Sequence, residues 1–198
     1  MKLGPRFKLA KRLGAPIFEK TQTQKFALSE ARSKNSKKGK RPAQLSDYGK
    51  QFKEKQKVRF AYGITEKQLQ KYIHQTIDAK DSPAELFAAL EMRADNAIYR
   101  LGLAKTRRMA RQMVAHGHIT VNGRRITTPS QALKVNDVLG IRQGSKDGVL
   151  FQNADWTHPA AWFTVDTDKK EAKVATIPVF KSAESMFDLA MIFEFYTR

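Results

Sequence analysis

Residues 93–142 read RADNAIYRLGLAKTRRMARQMVAHGHITVNGRRITTPSQALKVNDVLGIR, and this stretch decides the fold. Asp95 to Leu101 predicts a short helix that stops at Gly102, because glycine takes a left-handed cap without steric cost. Thr106 then caps a second helix, with Met109, Ala110, Met113 and Val114 facing inward and Arg107, Arg108 and Arg111 outward. Asn122-Gly123 is a two-residue hairpin turn that sets Ile119 against Ile126, Thr120 against Arg125 and Val121 against Arg124. Val135, Val138, Leu139 and Ile141 supply a third strand around the Asn136-Asp137 turn. A compact fold that presents arginines, with no pair of groups suited to acid-base or nucleophilic chemistry, is a binder of polyanions.

Composition agrees. Lys and Arg number 37 against 19 Asp and Glu, a formal net charge of +18, in 198 residues. Charge this far from zero is a statement about partners, nucleic acid or anionic lipid, and not about fold. It comes in blocks: +14 over residues 1–60, −2 over 61–92, +8 over 93–148 and −2 over 149–198. Two anion-facing surfaces on neutral scaffolding follow. Without cysteine, disulfides and thiolate metal sites are excluded. No apolar run approaches the ~20 residues of a membrane span, and the opening residues lack the apolar core of a secretory signal. The expected location is cytoplasmic.

Around the decisive stretch the chain divides into segments. Residues 1–45 hold few large apolar side chains and are expected to form a basic, largely irregular arm that orders on RNA. Ser46 caps a helix running to Gly63. Thr65 and Gln68 form a capping box ahead of Leu69, Tyr72, Ile73, Thr76 and Ile77, one apolar helix face. Ser82-Pro83-Ala84-Glu85 reads as another box, opening a helix with Leu86, Phe87 and Leu90 inward. Val165 and Val174–Ile177 are candidate strands in an irregular connection over 156–186. The closing run Leu189–Tyr196 is too apolar to hang free and is expected to dock as an edge strand or strap on the early helices. The fold class is therefore α+β, a mostly helical discontinuous domain (46–92 completed by 187–198) with an inserted RNA-binding domain over 93–155.

Candidate RNA contacts follow from charge and donor chemistry. The arm and first long helix supply Lys2, Arg6, Lys8, Lys11, Arg12, Lys38, Lys40, Arg41, Tyr48, Lys50, Lys53, Lys55, Lys57 and Arg59. The inserted domain supplies Arg93, Arg100, Thr106, Arg107, Arg108, Arg111, His116, His118, Asn122, Arg124 and Arg125. No acidic residue lies at i±4 from Arg107, Arg108 or Arg111, so nothing within their helix screens them. Asp95, close to Arg93 and Arg100, reads as a structural ion pair that orients an arginine. His116-x-His118 lacks the ligand company a structural zinc requires. Irregular folded RNA suits this surface better than duplex DNA, for which no helix-turn-helix or zinc-finger pattern is present.

The runs RADNAIYRLG, TRRMARQMV and HGHITVNGR resemble the S-four RNA-binding domain. Leu3-Gly4-Pro5 with Lys8, LSDYG (45–49), EKQKVR (54–59), Tyr62-Gly63 and the terminal EFYTR (194–198) resemble the bacterial small-subunit ribosomal protein S-four family. That resemblance implies a ribosome component with no enzymatic activity and no cofactor. It implies a primary binder of 16S-type rRNA that nucleates its 5′ domain, contact of Glu194, Tyr196 and Arg198 with protein S-five, and a neighbour in S-three. It also implies that Lys38, Lys40 and Arg41 line the channel by which mRNA enters, with a bearing on accuracy. Some family members hold zinc through cysteines near residues 9–31, which this chain lacks. Alternatives are a stress-related RNA chaperone or an RNA-modification factor with the same domain, and an organellar ribosome as the location.

Overall fold

The computed structural model describes residues 3–35, 45–146, 148, 151, 156, 159–182 and 185–197. Two compact units emerge, one from residues 1–83 with 181–198 and the other from 84–180.

In the first unit, helices α1 (Arg6–Leu13) and α2 (Gln24–Asn35) occupy the arm that composition marks as irregular. Over residues 6–35 the expected irregular course is replaced by helices, and the reason is a small apolar nucleus. Ala10, Leu13, Ile17, Phe18 and Phe26 are buried, Phe7 meets Phe26 edge-on at 5.3 Å, and Gly14 closes α1 at φ +70°. Helix α3 (Asp47–Ala61) begins at Ser46, whose hydroxyl accepts from Gly49 N, and α4 (Glu66–Thr76) begins at a reciprocal Thr65–Gln68 box. Helix α5 (Ser82–Glu91), which from Ala84 on belongs to the second unit, starts one residue earlier than a Ser82 cap allows. The Ser82 hydroxyl instead donates back to the carbonyls of Ile77 and Ala79, tying off the preceding turn.

The last helix of the chain, Leu189–Tyr196, replaces the expected strand or strap. Asp188 caps it by accepting from Met191 N, and Leu189, Ile192 and Phe193 recur at helical spacing as its buried stripe. It seats on α3, where Gln51 Nε2 donates to Glu194 at 2.9 Å and Tyr48 meets the Phe195 ring at 5.3 Å.

In the second unit, α6 (Ala94–Arg100) and α7 (Arg107–Ala115) pack on a five-stranded antiparallel sheet. Its strands are β1 (Ile119–Val121), β2 (Arg124–Arg125), β3 (Val138–Ile141), β4 (Phe163–Asp166) and β5 (Glu171–Val174) in spatial order β2-β1-β3-β5-β4. Thr120 pairs with Arg125 and Val121 with Arg124, as the Asn122-Gly123 turn dictates; both turn residues have positive φ (50° and 76°). β5 ends at Val174, so residues 175–177 lie beyond the strand. Ile98, Leu101, Met113, Val114, Ile119, Leu139 and Val174 fill the core. Each such buried side chain contributes roughly 1.5–3 kcal/mol. The 128–133 loop is laced to the start of α6 by Ala94 N to Gln131 O, Asp95 N to Pro129 O and Leu133 N to Met92 O. No helix among the described residues is long and apolar enough to cross a membrane.

Candidate nucleic-acid interface

The α6–α7 pair holds its arginines on two buried carboxylates. Glu91, at the end of α5 and 1% exposed, accepts from Arg100 Nε at 2.6 Å, Arg100 Nη2 at 2.8 Å and Asn96 Nδ2 at 2.7 Å. Arg107 Nη2 lies 3.9 Å from the same carboxylate, while its Nε donates to Asn96 Oδ1 at 2.7 Å and its Cζ sits 4.4 Å over the Tyr99 ring. Asp95, also buried, accepts two bonds from Arg93 (3.0 and 2.7 Å), and Arg111 Nη1 approaches at 3.6 Å. Screening absent within α7 therefore arrives from α5 and α6. Four guanidinium groups gather on two carboxylates, and every pair fixes a side chain that would otherwise wander.

Not every candidate is at the surface. Arg93 is only 1% exposed, locked to Asp95 with its backbone bridged to Ala132, so it offers nothing to a phosphate and leaves the set of contact residues. Asp95 is the structural ion pair the sequence suggests. Arg108 is exposed and has no ion pair among the described residues. Thr106 does its work as the α7 cap, accepting from Met109 N at 3.1 Å.

On the hairpin, Arg124 and Arg125 are exposed. Arg125 folds back so that Nη2 donates to His116 O at 3.2 Å, against Gly117, where a Cβ would stand 2.1 Å from its Nε. Asn122 is exposed, with its side chain engaged at the turn. Its amide donates to Asp137 at 2.8 Å and accepts from Val138 N at 2.8 Å, so the side chain staples the turn to β3. The rings of His116 and His118 lie 6.1 Å apart, and among the described residues no group of three metal-ligating side chains exists.

In the first unit, Lys55 is also withdrawn from the contact set. It is 6% exposed, 2.9 Å from Glu66 and 4.2 Å from the Phe195 ring centre. Arg59 shares Glu66 at 3.1 Å, Lys57 pairs with Glu54 and Lys50 with Asp47. Lys11 donates to Ser29 twice at 2.8 Å, and Arg6 lies over Phe18. Lys8, Arg12 and Tyr48 are exposed and Lys53 half-buried. Tyr196, expected to face a partner, spends its hydroxyl on Glu66. Burial alone would raise the Glu66 pKa, but the bonds from Tyr196, Lys55 and Arg59 together hold it below its ordinary value. Burial, then the Glu66 bond and its charge, push the Tyr196 phenol above its own. Lys2, Lys38, Lys40, Arg41 and Arg198 lie outside the described residues.

Comparison with known proteins adds the family. Residues 2–91 match the family model described as the ribosomal protein S4/S9 N-terminal domain, and residues 92–139 match the S4 domain. The chain is 38% identical over 199 residues to small ribosomal subunit protein uS4 of Limosilactobacillus reuteri, covering 98% of both chains. It is 42% identical over 165 residues to uS4 of Herpetosiphon aurantiacus (80% of this chain, 78% of the relative) and 35% over 204 residues to uS4 of Thermotoga petrophila (98% of each). The chain belongs to the uS4 family.

The uS4 family is structural, and as a member this chain is not an enzyme. The S4 match ends at residue 139, yet the sheet of this uS4 chain continues through β4 and β5 to Val174. Sequence reasoning missed Glu91 and Asn96 as organisers of the arginines. Glu91 reaches Arg100 across the break at Met92–Arg93 between α5 and α6, and Asn96 reaches Arg107 across the break between α6 and α7, so neither contact follows from the period of a single helix. The available signal was compositional: two acids, Glu91 and Asp95, set among arginines in an otherwise cationic segment.

Proposed function

We propose that the chain is a structural constituent of the small ribosomal subunit that binds its rRNA directly. The observation that carries this reading is the row of Arg100, Arg107 and Arg111 held on Glu91 and Asp95 beside the free Arg108. Guanidinium forks fixed before RNA arrives lose less entropy on meeting phosphates. The names of the relatives, small ribosomal subunit protein uS4, support the assembly concerned.

Within that role the chain nucleates folding of the rRNA 5′ domain, using residues 93–155 as the RNA-binding domain and the basic arm over 1–45 as a second contact. Lys38, Lys40 and Arg41 meet mRNA where it enters. The helical domain, 46–92 with 187–198, meets proteins S-five and S-three and so bears on accuracy; the ribosome is the location. Support comes from the two basic blocks, +14 and +8, separated by a neutral one.

The test is chemical footprinting of the purified chain on a transcript of the small-subunit rRNA 5′ domain, with sedimentation of tagged protein from cells. Protection of a multi-helix junction and stoichiometric migration with the small subunit at high salt are expected. Migration with stalled large subunits would favour the chaperone reading, and uridine isomerisation by the purified chain the modification reading.

A further inference from the structure

Beside the His116–Gly117–His118 turn lies a hollow bordered by two of the candidate contacts, His116 and His118. Met109, Gln112, Met113, His116 and His118 line it, half open to solvent, with a volume of about 100 Å³. Buried Met113 and half-buried Met109 give it an apolar, polarisable lining suited to an aromatic ring. Gln112 supplies a carboxamide with two donors and an acceptor, and the imidazoles add ring nitrogens. His118 is fixed by a 3.0 Å contact between Nδ1 and Ser145 Oγ and by the edge-on ring of Phe151 at 6.2 Å. Its Nε2 is therefore the nitrogen left for a ligand.

Two cations neighbour residues that line or adjoin the hollow. Arg108 is exposed one helical turn before Gln112, and Arg125 rests against Gly117 with its bond to His116 O. An apolar floor, an amide and imidazoles at the rim and guanidinium groups nearby complement one nucleotide: a flat base with a hydrogen-bonding edge, and its adjoining phosphates. A metal would need a third ligand, which no described residue supplies. An aliphatic peptide side chain would fit the floor but gain nothing from the arginines. Bases within a duplex are stacked out of reach, so only an unpaired base can enter.

We propose that this cleft seats one unstacked nucleobase of the bound RNA, with Arg108 and Arg125 on the adjoining phosphates. The proposal rests on the RNA-binding reading and adds that recognition includes a base and not the backbone alone.

The experiment uses the full chain and a 5′-domain rRNA transcript, with Gln112→Ala and His116→Ala at exposed positions and Arg108→Ala as the phosphate control. Gln112→Ala and His116→Ala each weaken binding roughly 5- to 100-fold without altering the salt slope. Arg108→Ala weakens binding and reduces that slope by about one. With 13C-methyl methionine, adenosine or uridine 5′-monophosphate shifts the Met109 and Met113 methyl signals and ribose 5-phosphate does not. Wild-type affinity in both alanine variants, a salt slope reduced as in Arg108→Ala, or equal shifts with ribose 5-phosphate overturns the cleft. Absence of salt-dependent transcript binding by the unaltered chain is a different failure, and it removes the RNA-binding reading and the cleft together.

Discussion

Arg100 and Glu91 meet through two parallel hydrogen bonds, 2.6 Å from Nε and 2.8 Å from Nη2, on a carboxylate that α5 delivers almost wholly out of solvent. Removing such a charge from water costs several kcal/mol, offset here by Asn96 and by proximity to Arg107. The arrangement spends negative charge inside a cationic surface, which makes sense only if geometry counts for more there than net charge.

Glu91→Gln therefore weakens rRNA binding although it raises the net charge of +18 by one. Loss of one partner from this buried network lowers stability by about 3 kcal/mol and affinity about tenfold. Urea unfolding and filter binding at fixed salt check both. A Gln variant that binds more tightly than the parent would mean that charge alone governs the surface.

Arg93→Ala and Arg108→Ala separate structure from contact. Arg93→Ala leaves Asp95 buried with one of its two cations, costs about 3–5 kcal/mol of stability, and leaves the salt slope of RNA binding intact. Arg108→Ala changes stability by no more than ~0.5 kcal/mol and removes about 0.9 from the slope. Thermal unfolding with a salt titration reads both, and a reversed pattern would refute the assignment of roles.

The Glu66–Tyr196 bond ties the last helix down over a bounded pH range. Glu66 has a folded pKa below its ordinary 4.5, so its contribution is present above that value and lost as pH falls through the lowered one. Tyr196 is raised above its ordinary 10.0, so its contribution is present below 10.0 and lost as pH climbs beyond it. Tyr196→Phe flattens the alkaline limb of a stability–pH profile and makes the acid limb shallower. Parallel profiles for parent and variant would show that the bond is not coupled to folding.

Gly117→Ala strains a backbone at φ +72° and displaces the Arg125 guanidinium. A stability loss of about 1–2 kcal/mol and weaker RNA binding are expected. In an Arg125→Ala background the stability loss persists and the added binding loss vanishes. Full additivity of the two binding effects would sever the link between Gly117 and Arg125.

The elements that sequence reveals are those set by local rules. Ser46, Thr65 and Thr106 cap their helices, and Asn122-Gly123 fixes the hairpin register, because each depends on neighbours a few residues away. The closing helix was legible only in part. LAMIFEFY is apolar at every position but Glu194, which hides the 3.6 period of Leu189, Ile192 and Phe193, although Asp188 was present as a cap. The arm hid its helices for the opposite reason, since few apolar residues must suffice for its core. At the interface, exposed arginines were readable from charge. Asp95 was readable too, as a neighbour two residues from Arg93, whereas the role of Glu91, the burial of Lys55 and the bond of Asn122 to Asp137 arise from chain crossings that no spacing rule encodes.

The helix that completes the first unit lies 143 positions after Gln51 and 130 after Glu66, the residues that receive it. A chain emerges from synthesis N-terminus first, so α3 and α4 appear without their cover and stay incomplete until Tyr196 has been added. The second unit, built wholly from residues 84–180, is under no such delay. Seating of the last helix thus acts as a completion mark: a chain cut short before Asp188 leaves Lys55 without the Phe195 and Tyr196 rings that lie against it once the helix is in place.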